Sequence, residues 1–231
     1  SLLGWMAMLC GFMILCFYAV VAGWSFSYLW KMLTGAFAGA TGDDMVGIFV
    51  ANNENPLNLG FWSTLVVVAT MLIVGKGVQA GIERCVTWMM PGMVVMLAIL
   101  IAYGAFSGGF GEAWRFLFSF NAGSLSSEGM LAALGHAFFT LSLASGAILT
   151  YGSYLPARAS IARTTLSVAA ADTVVALMAG LAIFPIIFAN GMSPGEGPGL
   201  IFMSLPLAFQ AMPLGTLFGI LFFVMLSMAA L

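Results

Sequence analysis

Long apolar runs are the feature that most constrains the fold of this chain. The stretches 2–30 and 86–106 contain no charged side chain, and each is long enough to cross the ~30 Å hydrocarbon core of a bilayer as an α-helix. Barrel strands would alternate polar and apolar residues instead. With 62% hydrophobic and 6% charged residues, the chain could not cover a water-soluble surface. The sequence therefore predicts an all-α membrane protein in a lipid bilayer.

Six spans are predicted in a single transmembrane domain, at 2–30, 61–75, 86–106, 130–155, 165–189 and 214–231. The polar stretch between the first two spans is predicted to be a loop. The apolar stretch 200–213 is too short to cross a bilayer and contains Pro206 and Pro213, which favours a re-entrant extracellular helical hairpin.

The basic residues predict the orientation of these spans. Four of them fall in the loops after the second and fourth spans (Lys76, Arg84, Arg158 and Arg163), and two fall on the opposite side (Lys31 and Arg115). Because Lys and Arg favour the cytoplasm, we expect the first span to begin inside the cell.

Several classes of function are not indicated by the sequence. The net charge is −2 and no basic patch is present, so no nucleic-acid partner is predicted. No Ser-His-Asp set, HExxH motif or Gly-rich phosphate loop occurs, so neither an enzyme nor an organic cofactor is predicted. Because the sequence starts and stops beside or within apolar runs, we expect it to be an internal piece of a longer protein.

The stretch 134–154 (LGHAFFTLSLASGAILTYGSY) is apolar but carries small and polar residues near its middle. Ser142, Ala144, Ser145 and Gly146 favour a local break in the helix. Broken helices inside membranes commonly hold a ligand at the exposed helix ends. The alternative is an unbroken helix whose small residues form a packing face.

Asp172 is an acidic residue within the fifth predicted span. An ionised carboxylate inside a membrane is costly unless it is paired, so such residues usually bind a cation or relay protons. No Lys or Arg is predicted at the same depth, which favours Na⁺ or H⁺ as its partner, with Thr140 as a possible further oxygen ligand. The alternative is a carboxylate that reaches water on the cytoplasmic side. His136 also has two predicted roles: a neutral side chain that forms hydrogen bonds, or a proton carrier.

Four motifs resemble one known family in sequence, order and spacing. They are KGVQAGIERCVTWMMP (76–91), HAFFTLSLASGAILTYGSYLP (136–156), DTVVALMAGLAIFP (172–185) and GPGLIFMSLPLAFQAMP (197–213). The chain resembles the neurotransmitter:sodium symporters, in particular their bacterial LeuT-like amino-acid branch. The resemblance implies the LeuT-type inverted-repeat transporter fold, of which this chain covers the third to eighth transmembrane helices.

The resemblance also implies roles for particular residues. Tyr18 resembles the tyrosine that holds the substrate carboxylate, and Ile14 resembles a wall of the pocket. Phe139 resembles the aromatic lid over the substrate. The remaining substrate contacts would come from the broken stretch, at Thr140, Ser142 and Ser145.

The same resemblance implies two sodium sites and a set of gating residues. Thr140 and Asp172 would bind the first sodium, and Ala229 would offer a carbonyl to the second. Asp172 would also supply the negative charge that other members take from chloride, so we expect chloride independence. Opening and closing would involve Phe139 and Tyr154, together with Gly81 and Pro91, where the fifth helix of the family unwinds.

These observations predict sodium-coupled import of an amino acid by alternating access in the bacterial cytoplasmic membrane. The small Ser145 suggests a large hydrophobic or aromatic substrate. Two alternatives stay open. One is proton coupling through Asp172 and His136, where His136 replaces the usual glutamine. The other is a relative that binds and senses amino acids without transporting them.

Overall fold

A computed structural model of the chain describes residues 2–119, 126–143, 146–154, 159–194 and 197–231, and within these ranges the regular structure is helical, without a β-strand. The predicted all-α fold is confirmed. The longer helices are α1 (Leu2–Leu33), α3 (Pro56–Val74), α4 (Arg84–Phe106) and α8 (Ile161–Ala189). The shorter ones are α2 (Gly42–Glu54), α5 (Phe110–Phe118), α6 (Ser127–Thr140), α7 (Ala147–Ser153), α9 (Leu205–Gln210) and α10 (Gly215–Ala230). Two π-helical turns, Val78–Glu83 and Leu200–Ser204, precede α4 and α9.

Four helical stretches among the described residues are long and apolar enough to cross a membrane. They are Gly4–Leu33, Pro56–Val74, Ala80–Phe106 and Ile161–Ala189. Of the other two predicted spans, 130–155 is divided between α6 and α7, and 214–231 contains α10, which has 16 residues. The stretch Leu200–Gln210 is helical and shorter than a membrane crossing.

Helix α2 corrects the prediction of a loop between the first two spans. Thr41 caps this helix: its hydroxyl accepts the N–H of Asp44, and its own N–H donates to the Asp44 carboxylate at 2.8 Å. Hydrogen bonds from the Thr41 side chain and backbone hold the pKa of Asp44 below its usual value. This reciprocal capping box satisfies donors that the first turn would otherwise leave free. The sequence did not predict α2 because the segment is polar at both ends and has no long apolar run.

The chain divides into two compact units. The smaller contains Ser1–Phe17 and Phe118–Leu177, and the larger contains Tyr18–Leu117 and Met178–Leu231. The core of the larger unit is built around Tyr28, which is fully buried. The centroid of its ring lies 4.9 Å from that of Phe202, 5.4 Å from that of Phe37 and 5.7 Å from that of Phe223. Residues far apart in the chain therefore share one aromatic core.

Small residues let helices of the larger unit approach closely. A Cβ added to Gly23 of α1 would lie 2.9 Å from the backbone nitrogen of Ser63 in α3. A Cβ on Gly104 of α4 would lie 3.2 Å from Pro185 of α8. Small residues at helix crossings are the usual means of close packing in membrane proteins.

A buried polar network ties α1, α2 and α3 together. The side-chain carbonyl of Asn52 accepts hydrogen bonds from Ser27 at 2.7 Å, from Lys31 at 2.8 Å and from the amide of Asn58 at 3.0 Å. Asn58 in turn accepts from the indole of Trp62 at 3.0 Å. Asn52 and Ser27 are both 2% exposed, so the network replaces water as their hydrogen-bonding partner.

Candidate functional site

The stretch 134–154 contains the helix break that the sequence predicted. Helix α6 ends at Thr140, a turn follows, and α7 begins at Ala147. Ser142 has φ 52° and Gly146 has φ 81°. Both lie in the left-handed region, which glycine adopts freely and serine adopts at a cost of roughly 1 kcal/mol. Ala144 and Ser145, which the sequence analysis also placed in the break, lie outside the described residues.

A cavity of about 830 Å³ lies beside this break, within the smaller unit. Thr140 and Ser142 line it from the end of α6 and the turn, and Asp172 lines it from α8. The structure therefore brings together three of the predicted site residues.

The α8 wall of the cavity follows one face of that helix. Ile161, Thr164, Thr165 and Val168 line the cavity together with Asp172, and their spacing of three or four residues places them on the same side. Sequence reasoning missed Thr164 and Thr165. Their spacing from Asp172 was a signal that could have found them. Tyr151 of α7, which also lines the cavity, was missed as well.

The polar side chains that are described on this cavity are hydroxyls and one carboxylate. The hydroxyl of Thr140 donates to the carbonyl of Ala137 at 3.4 Å, which leaves the lone pairs of its oxygen available to a cation. Asp172 is partly buried and contributes a carboxylate. Hard cations bind oxygen ligands of this kind. The C-terminal end of α6 carries the negative end of the helix dipole, which also favours a cation.

Other predicted residues of the smaller unit lie on its helices. Phe139 is 61% exposed and directly precedes Thr140, whereas His136 is exposed one turn earlier on α6. Ile14 of α1 is partly buried. Tyr154 is the C-cap of α7, where its N–H donates to the carbonyls of Tyr151 and Gly152, and its side chain is exposed.

Tyr18 and Ala229 meet in the larger unit. The hydroxyl of Tyr18 donates to the backbone carbonyl of Ala229 at 3.4 Å, a long distance for such a bond. The family resemblance implied a substrate role for Tyr18 and a sodium role for Ala229, and their contact was not predicted. Ser227 was not predicted either. This residue is buried, and its hydroxyl has no hydrogen-bond partner in the described part of the chain.

Gly81 and Pro91 lie near the start of α4. Gly81 is buried in the π-helical turn Val78–Glu83, and Pro91 lies inside the helix. A Cβ on Gly81 would collide with the backbone carbonyl oxygen of Ile73. A glycine is therefore required here by close contact between two backbones.

Substitution of Gly81 tests this contact. We expect Gly81→Ala to destabilise the full-length protein by about 1–3 kcal/mol, the usual cost of inserting an atom into a packed region. Gly60→Ala in α3 is the control, because nothing lies within 4 Å of the added Cβ and alanine favours a helix. Thermal unfolding in detergent measures both. Equal melting temperatures for the two variants would contradict the prediction.

Comparison with known proteins places the chain among sodium-dependent transporters. A family model described as "Sodium:neurotransmitter symporter family" matches residues 50–231. The sodium-dependent transporter YhdH of Bacillus subtilis is 38% identical over 230 residues, which cover 100% of this chain and 51% of that protein. A sodium-dependent transporter of Haemophilus influenzae is 32% identical and also covers 100% of this chain and 51% of its own length. The chain spans about half the length of the curated relatives it matches.

A solved structure shares the fold. The crystal structure of MhsT in complex with L-phenylalanine matches with a TM-score of 0.87 and 43% sequence identity. The match covers 99% of this chain and 52% of that one. The expected LeuT-type transporter fold is therefore confirmed for the part of it that this chain contains.

Proposed function

Because this chain belongs to the sodium:neurotransmitter symporter family, we propose that the protein containing it carries an amino acid into the cell together with Na⁺. The cavity beside the α6–α7 break is the observation that carries this proposal. The similar transporters of Bacillus subtilis and Haemophilus influenzae support the bacterial cytoplasmic membrane as its location. Membership in a family of transporters agrees with the absence of enzyme motifs from the sequence.

Na⁺ is the proposed partner of Asp172. Of the described residues that line the cavity, none is basic, so the carboxylate has no cationic side chain there to balance its charge. A carboxylate within a membrane protein needs such a partner. Na⁺ would be held between the carboxylate of Asp172 and the hydroxyl of Thr140, close to the C-terminal end of α6. Binding would thereby neutralise the acid and fix the broken segment.

An amino acid with a hydrophobic or aromatic side chain is the proposed substrate. MhsT was solved with L-phenylalanine, and its 43% identity to this chain supports a substrate of this class. Tyr18 would hold the substrate carboxylate. Its bond to Ala229 is 3.4 Å long, so turning the hydroxyl toward a carboxylate would cost little, and the new bond to a charged acceptor would be stronger.

Removal of the Tyr18 hydroxyl tests its role. We expect Tyr18→Phe to raise the KM for the amino acid about tenfold, since a hydrogen bond to a charged group is worth roughly 1.5 kcal/mol or more. Tyr28→Phe is a matched control on the same helix, because the Tyr28 hydroxyl is buried without a hydrogen-bond partner among the described residues. Its KM should stay within about twofold of the parent. An unchanged KM for Tyr18→Phe would remove Tyr18 from the substrate site.

Uptake by the full-length protein in proteoliposomes tests the proposed function. We expect an inward Na⁺ gradient to drive accumulation of radiolabelled phenylalanine or leucine, and replacement of Na⁺ by choline to abolish it. Uptake that persists in choline and follows a pH gradient would favour proton coupling through Asp172 and His136. Binding in detergent without uptake in proteoliposomes would favour an amino-acid sensor.

A further inference from the structure

A second cavity lies in the larger unit, at the ends of α3 and α4 that the π-helical turn joins. Its volume is about 710 Å³, and it is lined by the last turn of α3, part of the π-helical turn and the first turns of α4. Lys76 and Arg84 both line it and are exposed. Among the described residues, none that was assigned to a sodium or substrate site lines this cavity, whereas Gly81, which was assigned to gating, forms part of its wall.

Both cations are available to a ligand. In the part of the chain that the structure describes, neither Lys76 nor Arg84 makes a side-chain hydrogen bond or an ion pair. Glu83 is the neighbouring acid, but it does not line the cavity among the described residues. Two positive side chains therefore border a cavity whose described lining residues include no acid.

Apolar side chains continue the cavity away from the two cations. Trp88 lies one helical turn beyond Arg84, and Leu72 lies four residues before Lys76. Trp88 is 78% exposed and Leu72 is 65% exposed. One turn corresponds to about 5.4 Å along a helix. The cations thus lie toward the loop end of the cavity, and an indole and an aliphatic side chain follow about one helical turn away from them.

This order of groups matches a phospholipid at the edge of a bilayer. The phosphate would lie between Lys76 and Arg84, Trp88 would lie at the level where tryptophans are enriched, and the acyl chains would follow Leu72. We propose that this cavity binds the headgroup of an anionic phospholipid in the leaflet on the side that carries most of the basic residues. A zwitterionic headgroup carries a positive group that the two cations would repel.

Lipid retention by the full-length protein tests this site. Native mass spectrometry would count molecules of phosphatidylglycerol and phosphatidylcholine that stay bound after purification in detergent. We expect preferential retention of phosphatidylglycerol, and about a 25-fold loss of that preference in the variant Lys76→Gln/Arg84→Gln, since each basic residue contributes about fivefold. The control Arg115→Gln/Arg163→Gln removes the same charge elsewhere and should change the preference by less than about twofold.

Each other outcome of this experiment counts against the proposal. Equal retention of both lipids by the parent protein would overturn it, as would an equal loss in the control variant. Displacement of phosphatidylglycerol by millimolar inorganic phosphate would show a site for free phosphate rather than for lipid. If the double variant does not fold, photoactivatable phosphatidylglycerol can be crosslinked to the parent protein. Labelling is then expected within residues 72–89, and labelling confined to other segments would overturn the proposal.

Discussion

Uptake by the full-length protein is expected to become dependent on chloride when Asp172 is replaced by asparagine. The parent protein should transport equally well in chloride and in gluconate, because its own carboxylate would balance the charge of Na⁺ at the proposed site. In Asp172→Asn the amide keeps an oxygen ligand but carries no charge. Uptake in gluconate should fall by about 100-fold, and chloride should restore a large part of it.

The size of this effect follows from the charge that is lost. Two opposite charges about 4 Å apart attract each other by about 4 kcal/mol at the effective dielectric constant of a protein near its surface. Loss of that attraction would lower the affinity for Na⁺ by two to three orders of magnitude. A chloride ion close to the same position would supply the missing negative charge.

Asp43→Asn is the control for this experiment, since Asp43 is an exposed carboxylate at the start of α2. It should keep the uptake of the parent in both anions. If Asp172→Asn takes up the amino acid equally well in chloride and in gluconate, this carboxylate does not replace chloride. Uptake by the parent that ignores Na⁺ and follows pH would show that the coupling ion is a proton.

Replacement of Asn52 by alanine is expected to have the largest effect on stability. The variant leaves the donors of Ser27, Lys31 and Asn58 without the oxygen that now accepts from all three. An unsatisfied buried donor costs about 1–3 kcal/mol, and a charged donor costs more. We expect the free energy of unfolding to fall by about 3 kcal/mol or more, measured by denaturant titration of the full-length protein in micelles.

Asn52→Asp separates the loss of the acceptor from a general effect of substitution at this position. Aspartate keeps the acceptor oxygen, adds a second one in place of the amide nitrogen, and places a negative charge beside Lys31, which donates to Asn52 at 2.8 Å in the parent. It should therefore retain most of the stability of the parent. Unfolding of the alanine variant at the same denaturant concentration as the parent, or an equal loss of stability in both variants, would contradict this role of Asn52.

The sequence was most informative where a residue was unusual for its surroundings. A serine and a glycine within an apolar stretch predicted the break at Ser142 and Gly146. The lone acid Asp172 was predicted to bind a cation or relay protons, and the structure places it on the wall of a cavity. Thr164 and Thr165 were harder to identify, because a threonine within a helix commonly bonds to the backbone of its own helix. Only the position of α8 beside the broken segment identifies them as lining residues.

The sequence alone determined that this chain is a helical membrane protein, because apolar runs of this length have no other stable form. It also identified the family, because several motifs agree in order and spacing. Only the tertiary structure decided which residues from distant parts of the chain meet. The contact between Tyr18 and Ala229, the network around Asn52, and the cavity between Lys76 and Arg84 each depend on helix packing. Local sequence sets a helix and its apolar faces, whereas contacts across helices follow from the close approach that residues such as Gly23 and Gly81 permit.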